Sequence, residues 1–136
     1  MLVRDCMSKK VEIANPDMNL NLAAQKMRDG DFGVMPVSEN DKLIGMITDR
    51  DIAVRAIAAG KDPKATKIRE VMSKKVLYCY DDQNTEEVAK NMGENQVRRM
   101  PVVNRQKRLV GILALGDLAP KEAKVKEALA QICKHK

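Results

Sequence analysis

The stretch Leu43-Ile44-Gly45-Met46-Ile47-Thr48-Asp49-Arg50-Asp51 joins an apolar strand to a helix start, and it returns, altered, as Leu109-Val110-Gly111-Ile112-Leu113-Ala114-Leu115-Gly116-Asp117. Ile44, Met46 and Ile47 read as a short buried strand, Thr48 is placed to cap the next helix, and Asp51 falls in that helix's first turn. A helix start offers unpaired backbone N–H groups and partial positive charge. A phosphate can settle there while the carboxylate holds a sugar hydroxyl, which makes a nucleotide seat. A hydroxyl followed three residues later by an acid is also the pattern of a plain capping box that binds nothing.

The repetition extends along the whole chain. Val3-Arg4-Asp5-Cys6-Met7-Ser8-Lys9-Lys10-Val11 matches Ile68-Arg69-Glu70-Val71-Met72-Ser73-Lys74-Lys75-Val76, and Met35-Pro36-Val37 matches Met100-Pro101-Val102. In the same register Asp17 pairs with Asp82, Asn19 with Asn84 and Met27 with Met92; one added residue near Arg105 to Arg108 then precedes the second Leu-x-Gly stretch. A tandem duplication follows, with repeat 1 over residues 3–59, a connector over 60–67, repeat 2 over 68–119 and an amphipathic tail over 120–136.

Each copy reads as β-α-β-β-α, an α+β fold. A β-rich segment (Val11-Glu12-Ile13, Val76-Leu77-Tyr78) enters a turn at Asn15-Pro16-Asp17 or Asp81-Asp82. A helix follows, with Leu20, Ala23, Ala24 and Met27 on one face in the first copy, ending near Gly30, and Val88, Ala89 and Met92 in the second. Two short strands come next: Val34 to Val37 and Leu43 to Ile47, then Met100 to Val103 and Leu109 to Leu113. A further helix closes the copy, running from Asp51 to Gly60 in the first. In the tail, Val125, Leu129 and Ile132 form an apolar stripe that reads as a helix laid over the core, or else as a partner-binding helix.

Composition narrows the function. The 136 residues are 44% hydrophobic, enough for a core, and no apolar run approaches the length of a membrane span. The start Met1-Leu2-Val3-Arg4-Asp5-Cys6 has no signal-peptide core, so a cytoplasmic location is expected. Three cysteines (Cys6, Cys79, Cys133) without a Cys-x-x-Cys pair, and the single His135, suit neither a zinc site nor a disulfide framework. The net charge of +6 favours anionic partners. With Phe32, Tyr78 and Tyr80 as the only aromatics, stacking on single-stranded nucleic acid is disfavoured. No nucleophile-base pair is visible, so the chain is not expected to be an enzyme. The matched methionines Met7, Met27, Met35, Met72, Met92 and Met100 read as core, as do Cys6 and Cys79.

The paired Arg-Asp/Glu-x-Met-Ser starts, the paired Met-Pro-Val strands and Gly45-Met46-Ile47-Thr48-Asp49-Arg50-Asp51 resemble cystathionine-β-synthase (CBS) domains. The chain from Val3 to Ala119 is similar to a CBS pair, or Bateman module, of the small bacterial stand-alone kind. The resemblance implies two repeats packed with pseudo-two-fold symmetry, no catalysis and disc-like homodimers. It also implies a regulatory adenine nucleotide, AMP, ADP or ATP, bound in the cleft between repeats, with S-adenosylmethionine or NAD as less favoured ligands. It places Thr48 on phosphate and Asp51 on the ribose, with Arg69, Val76, Leu77, Val97 and Arg98 enclosing base and phosphates and Arg99 able to help.

A weaker second site is expected at Val11, Phe32, Gly33, Ala114 and Asp117. Ala114 there replaces the hydroxyl, at about 1 kcal/mol or near a fivefold loss of affinity. The strand Phe32-Gly33-Val34 brings no cation where the first site has Arg98 and Arg99, a larger loss because charge-assisted bonds are about twice as strong. One nucleotide per chain is therefore expected, at the Thr48/Asp51 site. The regulated protein is left unnamed by the sequence. A rival reading keeps the clefts empty and makes the chain a protein adaptor or a basic nucleic-acid binder through Arg98, Arg99, Arg105, Lys107 and Arg108.

Overall fold

A computed structural model describes residues 1–118, 128 and 130–133. The chain forms two compact units that are offset from the sequence repeats. One is Glu12–Val76; the other joins Met1–Val11 to the residues from Leu77 onward. The opening arm of each repeat thus belongs with the body of the other.

In the Glu12–Val76 unit, helix α1 (Leu20–Gly30) is capped by Asn19, whose side-chain oxygen accepts the Leu22 N–H at 2.8 Å. It stops where Asp31 turns left-handed at φ 54°. Strands β1 (Val34–Glu39) and β2 (Lys42–Thr48) pair antiparallel from Val34↔Thr48 to Glu39↔Lys42. Asn40 and Asp41, both at positive φ, make the tight turn between them. The helix after β2 begins with a single α turn and runs over Asp51–Ile57 as a π-helix, so the closing helix has the expected place and a wider winding. Short helix α2 (Ile68–Val71) completes the core of Leu20, Ala23, Met35, Val37, Ile47, Ala56 and Ile68. Ser73 then crosses β2, exchanging two hydrogen bonds with Met46 at 3.0 and 2.9 Å.

The other unit repeats the plan. The two-residue β3 (Cys79–Tyr80) lies parallel to β4 (Arg99–Val103), which pairs antiparallel with β5 (Leu109–Ala114). Helix α3 (Thr85–Glu94) is capped by Asn84, and Ser8 exchanges two hydrogen bonds with Ile112 at 2.9 Å, as Ser73 does with Met46. The core holds Val3, Cys79, Met92, Met100, Leu113, Leu115 and Leu118.

Some expectations need correction. Val11-Glu12-Ile13 is not a strand; pairing there is a single parallel bridge, Ala14↔Val37. In the second repeat the strand starts at Cys79, beyond Val76-Leu77-Tyr78. The physical reason is exposure: Glu12, Ile13, Leu77 and Tyr78 face outward, and the parallel ladder begins only where Ala14 or Cys79 turns into a core. Cys6 is only half-buried, whereas Cys79 is buried. Val125, Leu129 and His135 lie outside the described residues. Ala128 and Ile132 are buried against the core, which agrees with a helix covering it.

Candidate functional site

Thr48 closes β2, and the chain turns at once into the helix carrying Asp51. The Thr48 N–H donates to Asp51 Oδ2 and the Asp51 N–H donates to Thr48 Oγ1, both at 3.0 Å. This is a reciprocal capping box, so the plain reading of the motif is realised. It leaves two groups for chemistry: the hydroxyl's own proton, and Asp51 Oδ1, which lies 3.7 Å from Arg55 Nε. The Asp51 side chain is only 15% exposed, so the carboxylate is held in place rather than waving in solvent. Arg55 also donates from Nη1 to the Val71 carbonyl at 3.3 Å, tying this helix to the end of α2. Arg55 carries no signal in the local motif beyond its spacing of four residues from Asp51.

Beside this seat is a cavity of about 370 Å³ lined by Met27, Arg28, Asp31, Phe32, Gly33 and Asp49. The Asp49 N–H donates to the Gly33 carbonyl at 2.9 Å. Gly33 fits under the Asp49 carboxylate, since a Cβ there would lie 2.7 Å from Oδ2. Phe32 and Gly33, expected at the second site, are therefore neighbours of the Thr48–Asp51 turn in their own unit. Val76 is half-buried and belongs to the same unit, three residues past the Met46–Ser73 bridge.

Arg69 is not brought to Thr48. Its Nη2 donates to Glu39 Oε2 at 2.6 Å and its Nε to Asp17 Oδ1 at 3.3 Å, and those bonds raise the guanidinium pKa above its ordinary value. Glu39 sits at the turn end of β1, and the register puts Thr48 at the opposite end of the hairpin. Arg69 is a structural ion pair in the structure.

Leu77, Val97, Arg98 and Arg99 belong to the other unit. Arg99 there is the register partner of Ala114, and the Leu115 N–H donates to the Arg98 carbonyl at 2.8 Å. The Ala114 N–H donates to Asp117 Oδ2 at 3.2 Å, half of the box seen at Thr48–Asp51. The arginines thus accompany Ala114 and Asp117. Val11 shares that unit, three residues beyond the Ser8–Ile112 bridge. The rival basic patch loses one member: Arg105 is bound by Asp82 at 2.7–3.1 Å and lies over the Tyr80 ring at 4.1 Å. Among the described residues no cluster of His, Cys, Asp and Glu could hold a metal ion, and no helix is long and apolar enough to cross a membrane.

Two β-hairpin units, each with an acid held at the turn after its second strand, define a tandem-repeat module. The chain matches the CBS domain over residues 3–57 and 68–124, and it belongs to the CBS-domain family. It is 41% identical over 117 residues to the CBS domain-containing protein YhcV of Bacillus subtilis, covering 86% of this chain and 82% of that one. The crystal structure of Hypoxic Response Protein I with two coordinated zinc ions superposes with TM-score 0.78 at 37% identity, over 87% of this chain and 96% of that one. The CBS domain pair of MJ0100, in complex with 5′-methylthioadenosine and S-adenosyl-L-methionine, superposes with TM-score 0.73 at 30% identity, over 87% and 92%. CBS pairs are regulatory ligand-binding modules.

Proposed function

We propose that this chain is a non-catalytic sensor that binds an adenosyl ligand at the Thr48–Asp51 turn and passes its occupancy to a regulated partner. The carrying observation is the reciprocal box, which holds the Asp51 carboxylate in place while leaving Oδ1 and the Thr48 hydroxyl proton for a ligand. A ribose diol suits a fixed carboxylate, because charge-assisted hydrogen bonds are about twice as strong as neutral ones. Val76 supplies apolar surface nearby, and the adenosyl complex of MJ0100 supports the ligand class. The adenosyl compounds to test are AMP, ADP, ATP, S-adenosylmethionine and NAD.

A ligand shifts an equilibrium by no more than its difference in affinity for the two states. Asp51 Oδ1 shares Arg55 with the Val71 carbonyl, so a ribose that takes Oδ1 acts directly on that tie. The functional form is a homodimer, with Val54 and Ile57, each about half exposed on the π-helix, as apolar surface for it. The test is calorimetric titration of the whole chain with these compounds, on wild type and Asp51→Asn. Saturable binding of at least one of them that weakens at least tenfold in the variant supports the reading. If no compound binds the wild type, Thr48 and Asp51 are a helix cap and nothing more.

A further inference from the structure

We infer that the module sorts its ligands by charge, taking an adenosyl group without phosphate at Thr48–Asp51 and a phosphate-bearing one at Arg98, Arg99 and Asp117. The inference rests on the adenosyl reading above and assigns a ligand class to each seat.

The register carries the argument. In the Glu12–Val76 unit, the residue opposite Thr48 is Val34, preceded by Gly33; in the other unit the residue opposite Ala114 is Arg99, preceded by Arg98. The same two positions beside the turn are therefore uncharged in one unit and doubly cationic in the other. Both arginines are exposed, and neither has an ion pair or side-chain hydrogen bond among the described residues. Four other guanidinium groups are held by carboxylates, Arg28 by Asp29, Arg55 by Asp51, Arg69 by Asp17 and Glu39, and Arg105 by Asp82, while Arg4 and Arg50 are exposed and stand singly. Two unpaired guanidinium groups next to a held carboxylate match a nucleotide, with Asp117 for the ribose and the arginines for phosphate oxygens in bidentate fashion.

The Thr48–Asp51 seat has the opposite character. Asp31 and Asp49 line the adjoining cavity, and the Asp49 carboxylate lies directly over Gly33. The cation in that lining, Arg28, is held by Asp29 at 2.9 Å, and Arg55 is held by Asp51 and the Val71 carbonyl. Arg50 stands between Asp49 and Asp51, with its backbone N–H on Asp49 Oδ1 at 2.8 Å. A phosphate dianion entering here meets Asp31 and Asp49, whereas a neutral thioether or a cationic sulfonium does not. Sequence expectation ranks the Ala114/Asp117 seat as weaker because a hydroxyl is missing and because it assigns the cation-free strand Phe32-Gly33-Val34 to that seat. The structure adds to that seat two cations, each of which outweighs a neutral hydroxyl.

The test uses AMP and 5′-methylthioadenosine, which differ at the phosphate, in calorimetric titrations of the full chain. Wild type is expected to take one of each per chain without competition. In the Arg98→Ala/Arg99→Ala variant the affinity ratio of methylthioadenosine over AMP should rise at least thirtyfold, on the order of a charge-assisted bond or more. In Asp51→Asn the ratio should fall. A gain-of-binding variant that misfolding cannot mimic, Ala114→Thr, should tighten AMP about fivefold by restoring the missing hydroxyl. Competition of the two compounds for one seat, or a ratio unchanged in both loss variants, overturns the sorting and leaves adenosyl binding standing. Failure of one compound to bind wild type overturns the sorting alone; failure of both overturns the adenosyl reading as well.

Discussion

Replacing Gly45 by alanine tests the close approach on which the Glu12–Val76 unit is built. A Cβ at Gly45 would lie 2.8 Å from the Ser73 carbonyl oxygen and 2.8 Å from Met72 Sδ. The thioether can swing away. The carbonyl cannot, because it accepts the Met46 N–H at 3.0 Å while the Ser73 N–H donates back at 2.9 Å. Overpacking of this kind costs about 1–3 kcal/mol, and losing one of the paired bonds adds about 1 kcal/mol. A total of about 2–4 kcal/mol is a large part of the roughly 5–15 kcal/mol that holds a domain together. At about 3 °C per kcal/mol for a chain of this size, the melting temperature should fall by about 6–12 °C. Gly111→Ala should behave alike, since its Cβ would lie 2.8 Å from the Ser8 carbonyl oxygen and 2.8 Å from Met7 Sδ. Gly116→Ala is the control, with none of the described residues within 4 Å of the added carbon. Urea unfolding followed by circular dichroism reads all three. A Gly45→Ala protein within about 0.5 kcal/mol of wild type, the range of neutral surface changes, would refute the reasoning.

Thr85 is 1% exposed and its hydroxyl has no partner among the described residues, so Thr85→Val should raise the urea midpoint, by about 1 kcal/mol of stability. Burial pushes the Cys79 thiol up to about 12, so at pH 8 a thiol reagent should label exposed Cys133 and leave Cys79 unmodified until the protein is unfolded. Arg105 holds the Asp82 carboxyl below its ordinary 3.8, so the pair stabilises the fold above that value and the contribution is lost as pH falls through the lowered one. Asp82→Asn should accordingly melt below wild type at pH 7, with the gap closing as the pH is lowered through the acid range. Ile57→Asp, at an exposed position, should convert the proposed homodimer to monomer in light scattering without lowering helix content.

The duplication was legible because matched residues do matched work: Asn19 and Asn84 cap equivalent helices, and Gly45 and Gly111 admit equivalent crossing strands. The Thr48–Asp51 turn was legible because capping is local, three residues of chain and two hydrogen bonds. Arg69 was not, since its partners Asp17 and Glu39 are remote in sequence and nothing local announces an ion pair. The grouping of Arg99 with Ala114 had a signal that the motif overshadowed. Two strands joined by a short polar turn run antiparallel, so the residue opening the first lies opposite the residue closing the second. The exchanged arms had no such signal, because a repeat read along the chain cannot say which copy of the body an arm completes.

The exchange sets an order of assembly during synthesis. The Glu12–Val76 unit has all its parts, including the Ser73 crossing, once residue 76 has emerged. The arm Met1–Val11 is made ahead of the Glu12–Val76 unit and used after it: Ser8 finds Ile112, and the Val3 N–H finds the Gln83 carbonyl, only once those residues have followed. At about 5–20 residues per second, the arm waits several seconds with Val3 unburied beside a finished neighbour. Its charged flank, Arg4, Asp5, Lys9 and Lys10, keeps that short apolar segment soluble in the interval.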